Sequence, residues 1–584
     1  MLPNTYDMQD VLVKSCVQFL PELLLCITIV LLLLMRVFRL ADRAHLGPIA
    51  LMLTLAILGV AVCQWGTFAG FDPPGRDNDP RMFGGLLVYD HLIVFLRCFL
   101  LGFAVLMIWL TMLTGIPDRD DSADFYCLLL GATLGMMVMA SANHLLMVFI
   151  GIEMASLPSY ALAGFLKGRR QSSEAALKYV VYGGGAAGVM LYGISLLAGR
   201  FGTGYLPELA AGYVHSLTSF DPILILGSLF VVIGVGFKLA AVPFHFWCPD
   251  VFEGASAEVA GFLSVASKAA ALALLVRLVL VFTGVDGLVP GEGNWMLVMR
   301  YLIPILAVFA GVTATFGNLA AFLQNNLKRL LAYSTIAHAG YMMMGICALA
   351  TPRLYLPGVQ AVIGVQAVLF YLIAYLFMNL GAFAVVAFIR NQTGTEDLDR
   401  MRGLVRRSPW MVVTLSFFLL SLLGIPPLIG FAAKFQIFSA LWSTGMYYRD
   451  QGETGLSFTL IALLAVGGLN TVLSAVYYLK VLKVMIIEGR AEDLEGKEPA
   501  RLPEPFGAVS FAVLMMLAVL GLGVLWNPLS DVSRTGVDRF LPHEAVAAPQ
   551  IPGGPPAGPA GAPVPARPPG AAGNAADAGL ENKT

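Results

Sequence analysis

VIGVGFKLAAVPFHFWCPDVFEGA, which runs from Val232 to Ala255, places Lys238 inside a long apolar segment, five residues ahead of Pro243. If this segment crosses a bilayer, the ammonium group costs about 2.5–3.5 kcal/mol on insertion scales. Pro243 has no backbone N–H, so we expect it to interrupt the helix that carries Lys238. Broken helices at membrane depth are tolerated where they line protein or a wet cavity. A lysine kept beside such a break therefore indicates a functional position.

The composition of the chain indicates a membrane protein. Of its 584 residues, 58% are hydrophobic and only 12% are charged, whereas a soluble domain carries roughly 25% charge. A bilayer core needs about 20 apolar residues per helix, and runs of this kind recur almost from end to end. The sequence therefore predicts an all-α polytopic membrane protein and excludes soluble enzymes and nucleic-acid-binding proteins. The seven cysteines form no CxxC pair, so no disulfide framework, metal site or iron–sulfur cluster is predicted.

Apolar runs between polar breaks predict about 14 transmembrane helices. Their approximate extents are 15–38, 47–66, 87–115, 124–141, 143–166, 175–199, 221–246, 256–283, 298–321, 328–350, 361–390, 410–443, 456–487 and 506–526. Loops after odd-numbered spans are richer in Lys and Arg, so the positive-inside rule places them in the cytoplasm and both termini on the outer, periplasmic side. Residues 542–584 are rich in Pro, Ala and Gly, which predicts a disordered tail.

Four ionisable side chains lie near the middle of predicted spans: Glu153, Lys238, Lys268 and Lys434. A single buried charge is compatible with a structural ion pair or with a side chain that snorkels to the interface. Four together, one acid and three lysines, indicate an ion or proton path that faces the bundle interior.

The neighbours of these residues favour such a path. Pro158 removes one backbone donor from the helix of Glu153 and leaves a carbonyl available to water. Small residues surround Lys268, which allows close helix contacts or leaves room for water. Pro426–Pro427 interrupt the span of Lys434, and broken spans often mark transport sites.

The residue types also predict a pairing. We expect Glu153 to pair with Lys238 and to hold it protonated, because a nearby opposite charge favours the charged form. Separating the pair would make the proton of Lys238 easier to pass to Lys268 and onward.

Further polar residues extend the predicted path. Lys328 lies at a helix entrance, and His338 lies about three turns further in, where a buried histidine can relay protons. A hydrogen-bonded structural role for His338 is an equal alternative. The weaker candidates are His144 at a helix start, His245 after Lys238, and the set Tyr371, Tyr375 and Asn379 on one helical face.

Several motifs together resemble the antiporter-like proton-translocating family, whose members include subunits of bacterial respiratory complex I. They are GIEMASLPSYALAGF, EAALKYVVYGG, GVGFKLAAVPFHFWCPDVFEGA, NLKRLLAYSTIAHAGYMMMG and GIPPLIGFAAKF. The motifs come in family order, and the resemblance covers the chain from about Tyr89 to Met485.

This resemblance implies two inverted five-helix repeats that contain broken helices. The predicted domains are 1–120 (helices 1–3), 121–290 (first repeat, helices 4–8), 291–490 (second repeat, helices 9–13), 491–541 (last helix and flanks) and 542–584 (tail). By matching motifs, Glu153 is the glutamate of the fifth helix and Lys238 is its paired lysine on the broken seventh. Lys268 is the central lysine of the eighth helix, and Lys434 is the charged residue of the broken twelfth. Lys328 and His338 join these four as proton-transfer residues.

The resemblance also implies a function and partners. The expected function is that of a proton-translocating membrane-arm subunit of NADH:quinone oxidoreductase in the bacterial inner membrane, beside other antiporter-like subunits. We expect no cofactor in this chain, with NADH, flavin, iron–sulfur clusters and quinone in other subunits, because the sequence has no dinucleotide fingerprint, P-loop or haem motif. Two alternatives share the observations: a subunit of a multi-subunit Na⁺/H⁺ antiporter or membrane-bound hydrogenase, and a structural membrane subunit that conducts nothing.

Overall fold

The computed structural model describes residues 5–38, 45–66, 80–216, 221–283, 295–349, 362–489 and 501–537. The predicted disordered tail, residues 542–584, lies outside these ranges. The described chain is almost entirely helical, because a helix satisfies the backbone hydrogen bonds of an apolar segment internally.

The described chain contains 20 α-helices and one small hairpin. The first are α1 (Thr5–Gln18), α2 (Leu20–Val37), α3 (Gly47–Trp65) and α4 (His91–Thr114), and a small antiparallel hairpin of β1 (Arg81–Met82) and β2 (Leu87–Val88) precedes α4. Next come α5 (Ser122–Ser141), α6 (Leu145–Ala163), α7 (Arg170–Phe201), α8 (Leu206–Ser216), α9 (Pro222–Leu239), α10 (Trp247–Gly254), α11 (Ala257–Phe262) and α12 (Lys268–Phe282). The last are α13 (Trp295–Ala321), α14 (Leu327–Cys347), α15 (Ile363–Thr393), α16 (Pro409–Leu423), α17 (Ile429–Asp450), α18 (Thr454–Leu482), α19 (Phe506–Val524) and α20 (Asn527–Thr535).

Within the described residues, 13 helical segments are long and apolar enough to cross a membrane. They match every predicted span except the twelfth, 410–443, which is divided between α16 and α17. α11 and α12 form one segment, Ala257–Phe282, because a π-helical turn at Leu263–Ser267 joins them. The predicted polytopic all-α class is confirmed.

The predicted seventh span breaks near its proline. α9 ends at Leu239, Ala240 adopts a left-handed backbone with φ of 53°, and α10 begins at Trp247. The membrane helix therefore ends before the predicted limit of 221–246, and Lys238 lies in its last turn. Trp247 Nε1 donates to the Phe237 carbonyl at 3.0 Å, which holds the two helices together across the break.

The twelfth segment breaks in the same way. α16 ends at Leu423, Gly424 takes a φ of 95°, and α17 begins at Ile429. In each broken segment the lysine lies close to the interruption: Lys238 just before it and Lys434 just after it. The prediction that prolines interrupt both lysine-bearing spans is confirmed.

α15 is the central helix of the bundle. It is buried along nearly its whole length and contacts α4, α11, α14, α16, α17 and α19. A Cβ on its Gly381 would lie 2.4 Å from the ring of Phe418, so the glycine lets α16 approach closely. Polar residues of α15 thus lie where the charged helices meet.

Two buried ion pairs join helices that are distant in sequence. Arg97 Nε of α4 lies 2.7 Å from Glu22 Oε1 of α2, and its Nη1 donates to Gln64 of α3 at 3.0 Å. Arg277 of α12 forms two hydrogen bonds with Asp90, at 2.9 and 3.2 Å. The sequence analysis placed four ionisable side chains inside spans, and that number is too small. It missed these arginines, whose guanidinium groups are fixed by ion pairs.

We predict that Arg97→Met lowers the free energy of unfolding by about 3–5 kcal/mol, because it leaves the buried carboxylate of Glu22 without its charge partner. Replacing both residues, with Arg97→Met and Glu22→Leu together, should recover most of the loss, since an apolar pair of similar volume is often neutral. Thermal unfolding of the detergent-solubilised protein measures both effects. A single variant as stable as the unmodified protein would contradict the structural role.

Candidate functional site

Lys238 is buried, and its ammonium has a neutral partner. Its Nζ donates to Ser156 Oγ of α6 at 3.0 Å. Ser156 follows Glu153 by three residues on the same helix, so both side chains lie on the side of α6 toward Lys238. The hydroxyl of Ser156 takes the position next to the ammonium that the sequence analysis assigned to the carboxylate.

Glu153 is half-buried, in contrast to the three lysines. Its Oε1 is buried without a hydrogen-bond partner. Glu153 interacts electrostatically with Lys238, but no direct ion pair joins these two described residues. The predicted pairing is therefore electrostatic and not a direct contact, and the hydrogen bond of Lys238 goes to Ser156.

Lys268 lies immediately after the π-helical turn, in the interior of the bundle. Its side chain is 1% exposed, and its Nζ has no hydrogen-bond partner among the described residues. The adjacent Ser267 Oγ is likewise buried and unpartnered. Polar atoms of this kind are the ones that internal water binds in folded proteins. Lys268 interacts electrostatically with Cys248 and with His245, which lies in the break after α9.

His338 of α14 is buried and contacts two tyrosines. It interacts electrostatically with both Lys268 and Lys434. Its Nδ1 lies 2.6 Å from Tyr371 Oη, and its Nε2 lies 3.2 Å from Tyr478 Oη. Each ring nitrogen faces a tyrosine hydroxyl, so the imidazole can accept a hydrogen bond at one nitrogen and donate one from the other. The hydrogen-bonded role and the relay role named for His338 are therefore compatible.

Lys434 occupies the break of the twelfth segment. Its Nζ donates to the Leu423 carbonyl at 3.0 Å and lies 4.7 Å from the centre of the Tyr341 ring. Leu423 is the last residue of α16, so the ammonium satisfies a carbonyl that has no intrahelical donor. Gly424 makes this possible: a Cβ there would lie 3.2 Å from Lys434 Cδ, and its φ of 95° disfavours other residues.

Lys328 lies at one end of the helical bundle. The loops after the odd-numbered spans are at this end. Its Nζ donates to the Ala255 carbonyl at 2.7 Å and lies 3.2 Å from Glu396 Oε1. Further ion pairs join the same loops, including Arg329 with Asp250 at 2.7 Å. Lys328 is therefore apart from the central lysines and close to the polar surface.

The remaining predicted residues divide into two groups. His144 caps α6, where its Nδ1 accepts a hydrogen bond from Leu146 N at 3.1 Å. This capping role is separate from the buried lysines. Tyr371 contacts His338, and Asn379 Nδ2 donates to Ser264 Oγ at 2.6 Å, so this face of α15 does reach the charged helices.

Besides Glu22 and Asp90, the sequence analysis missed one more buried acid. Glu258, in the first turn of α11, is fully buried, and neither carboxylate oxygen has a hydrogen-bond partner among the described residues. The available signal was an acid inside the predicted span 256–283, ten residues ahead of Lys268. It was overlooked because charges at span boundaries commonly lie in the headgroup region.

These features define a polytopic membrane protein with lysines buried at and between broken helices. A family model described as NADH:quinone oxidoreductase/Mrp antiporter, TM, matches residues 142–449, which include all six predicted proton-transfer residues. The chain belongs to this NADH:quinone oxidoreductase/Mrp antiporter family, and the resemblance seen in the sequence is confirmed.

Individual relatives support the same family. The chain is 37% identical to NADH-quinone oxidoreductase subunit N of an Anaeromyxobacter species, over 90% of this chain and 97% of the relative. It is similar to a chain of respiratory complex I from Thermus thermophilus, with a TM-score of 0.64 and 29% identity over 88% of this chain and 98% of that one. A chain of the Mrp complex from a Dietzia species shares the fold, with a TM-score of 0.70 at 19% identity over 90% and 98%.

The break that holds Lys434 depends on a second glycine. Gly430 N donates to Ser421 Oγ at 3.1 Å, and a Cβ on Gly430 would lie 1.8 Å from the Ser421 carbonyl oxygen. We predict that Gly430→Ala forces α16 and α17 apart and lowers stability by about 1–3 kcal/mol. Gly468→Ala in α18, where a Cβ meets nothing within 4 Å, is the control. Equal melting midpoints for the two variants would show that the break tolerates a methyl group.

Proposed function

We propose that the chain is a proton-translocating membrane-arm subunit of NADH:quinone oxidoreductase, of the subunit N type. The observation that carries the proposal is Lys268. Its ammonium is buried without a protein partner and lies within electrostatic reach of His338, which in turn reaches Lys434. The relatives named subunit N supply the class of complex.

The proposed path runs through groups held by separate helices. Lys268 of α12, His338 of α14 and Lys434 of α17 are each able to take up and release one proton. Water between the side chains, bound to unpartnered atoms such as Ser267 Oγ, would carry protons from one group to the next.

Glu153 and Lys238 have a different proposed task. Their charges are coupled without contact, since Lys238 bonds Ser156 instead. A change in the charge or position of Glu153 would alter how firmly Lys238 holds its proton, and Lys238 lies at the break in its helix. If electron transfer in other subunits changes the charge or position of Glu153, this coupling would transmit the change to Lys238 and so drive proton movement.

The proposal includes partners, orientation and internal repeats. NADH, flavin, iron–sulfur clusters and quinone would be held by other subunits, and this chain would contribute no redox centre. Neighbouring antiporter-like subunits would contact its exposed apolar faces in the bacterial inner membrane. The proposed orientation has the Lys328 end in the cytoplasm and both termini outside. The predicted spans 4–8 and 9–13 would form two inverted repeats, and the fourth span of each repeat would be the broken one.

A subunit of a multi-subunit Na⁺/H⁺ antiporter is the second candidate. The shared fold of the Dietzia Mrp complex supports it, at an identity that bears on fold alone. Purification of the chain with peripheral iron–sulfur subunits would favour the first candidate. Na⁺-dependent proton exchange without NADH oxidation would favour the second.

We predict that Lys268→Ala reduces NADH-driven proton pumping into membrane vesicles at least about tenfold, because it removes a group that must bind the transferred proton. The control is Lys480→Ala: Lys480 lies near a membrane interface and donates to the Gln324 carbonyl at 3.2 Å. Pumping is measured beside electron transfer from NADH to quinone. A Lys268→Ala complex that assembles and pumps like the control variant would contradict the proposal.

We also predict that Glu153→Gln impairs pumping while Ser156→Ala impairs it less. The first removes the charge that acts on Lys238, whereas the second removes one hydrogen bond, worth about 0.5–1.5 kcal/mol net. Initial rates of acidification in vesicles containing equal amounts of assembled complex give the comparison. The reverse order, with Ser156→Ala the more damaging change, would exclude charge coupling as the task of Glu153.

A further inference from the structure

Glu258 is a buried acid to which the path above gives no task. It lies in the first turn of α11, and its side chain is 0% exposed. Neither oxygen of its carboxyl group has a hydrogen-bond partner among the described residues. A buried carboxylate that lacks such partners is costly unless a charge compensates it or a proton neutralises it. Such a position is poorly suited to a purely structural role.

Lys328 of α14 interacts electrostatically with Glu258, Glu396 and Arg390. Its Nζ donates to the Ala255 carbonyl, three residues before the acid, at 2.7 Å. On its other side Lys328 bonds Glu396 at 3.2 Å, and the Glu396 side chain is 18% exposed. Glu396, Lys328 and Glu258 thus form a series in which the first carboxylate is partly exposed and the last is fully buried.

The helix of Glu258 continues toward Lys268. Ten residues separate them, which is about 15 Å of helix at 1.5 Å per residue. Ser264 lies between them and accepts a hydrogen bond from Asn379 Nδ2 at 2.6 Å. Asn379 Oδ1 and Ser267 Oγ are both buried without protein partners. Polar atoms able to bind water therefore lie along the helix between the acid and the central lysine.

We propose that Glu258 is a proton-transfer residue that takes up protons from the Lys328–Glu396 side and passes them through water to Lys268. In one transfer, an O–H bond of a hydronium ion at the Lys328–Glu396 side breaks, and its proton forms an O–H bond with the Glu258 carboxylate. That bond then breaks as the proton moves along water to the neutral amine of Lys268, which becomes an ammonium. The inference rests on the proposed function and extends its path to the polar surface.

The test compares variants of the buried Glu258 with a variant of Glu253, an acid near the surface. Glu258→Gln keeps the size of the side chain and removes its ability to carry a proton, and Glu258→Asp restores the acid. Glu253→Gln is the matched control, because Glu253 ends the preceding helix region and is already paired with Arg329 at 2.6 Å near the surface. Each variant is made in the intact complex and assayed for NADH-driven pumping in vesicles.

We expect Glu258→Gln to lower pumping at least about tenfold, Glu258→Asp to restore a substantial part, and Glu253→Gln to pump normally. Difference infrared spectra of the working complex supply a readout that a structural role would not move: a carboxylic acid carbonyl band that disappears in Glu258→Gln. Normal pumping in Glu258→Gln, or loss of pumping with no such band in the unmodified complex, would overturn the inference.

Lys268→Ala separates this inference from the proposed function. If Lys268→Ala abolishes pumping and Glu258→Gln does not, Glu258 has no part in the path and the proposed function stands. If neither variant changes pumping, the proposed function fails together with the inference.

Discussion

The cost of holding an ammonium group away from water is the constraint on which the site depends. A lysine inside the bundle must find a neutral acceptor, an opposite charge or water. Lys238 finds the hydroxyl of Ser156, and Lys434 finds the carbonyl at the end of α16. Lys268 finds no protein acceptor among the described residues. The three lysines thus differ in how their ammonium groups are stabilised inside the bundle.

Breaks in the helices supply what intact helices lack. In an unbroken helix the carbonyls are bonded internally, so a buried lysine has few acceptors within reach. The end of α16 at Leu423 exposes such a carbonyl to Lys434. The buried arginines show the opposite arrangement: Arg97 and Arg277 hold carboxylates at hydrogen-bond distance and are fixed in place. Fixed ion pairs hold the helices together, whereas singly bonded lysines remain able to change protonation.

Much of this arrangement could be predicted from the sequence. The low charge content required membrane helices, so each lysine inside an apolar run was expected to face the interior, and Lys238, Lys268 and Lys434 do. The prolines located both breaks, because the missing N–H is a local property of the chain. The partner of Lys238 could not be predicted. Glu153 and Ser156 are three residues apart on one helix, and only packing decides which of them meets the ammonium.

Glu258 and Arg97 show a second reason for failure. Both lie in predicted spans. Glu258 is close to the start of its span, where charges are normally assigned to the headgroup region, and the partner of Arg97 is 75 residues away on α2. Burial of such residues follows from tertiary packing, around α15 above all, and not from local composition. Sequence patterns identify best those positions where a single residue, such as a lysine or a proline, interrupts an otherwise apolar helix.

A high-resolution map of the intact complex tests whether Lys268, His338 and Lys434 form one hydrated path. We expect ordered water that links Lys268 to His338 and His338 to Lys434 with hydrogen-bond spacing throughout. Close-packed apolar side chains between these residues, with no density for water in any functional state, would contradict it.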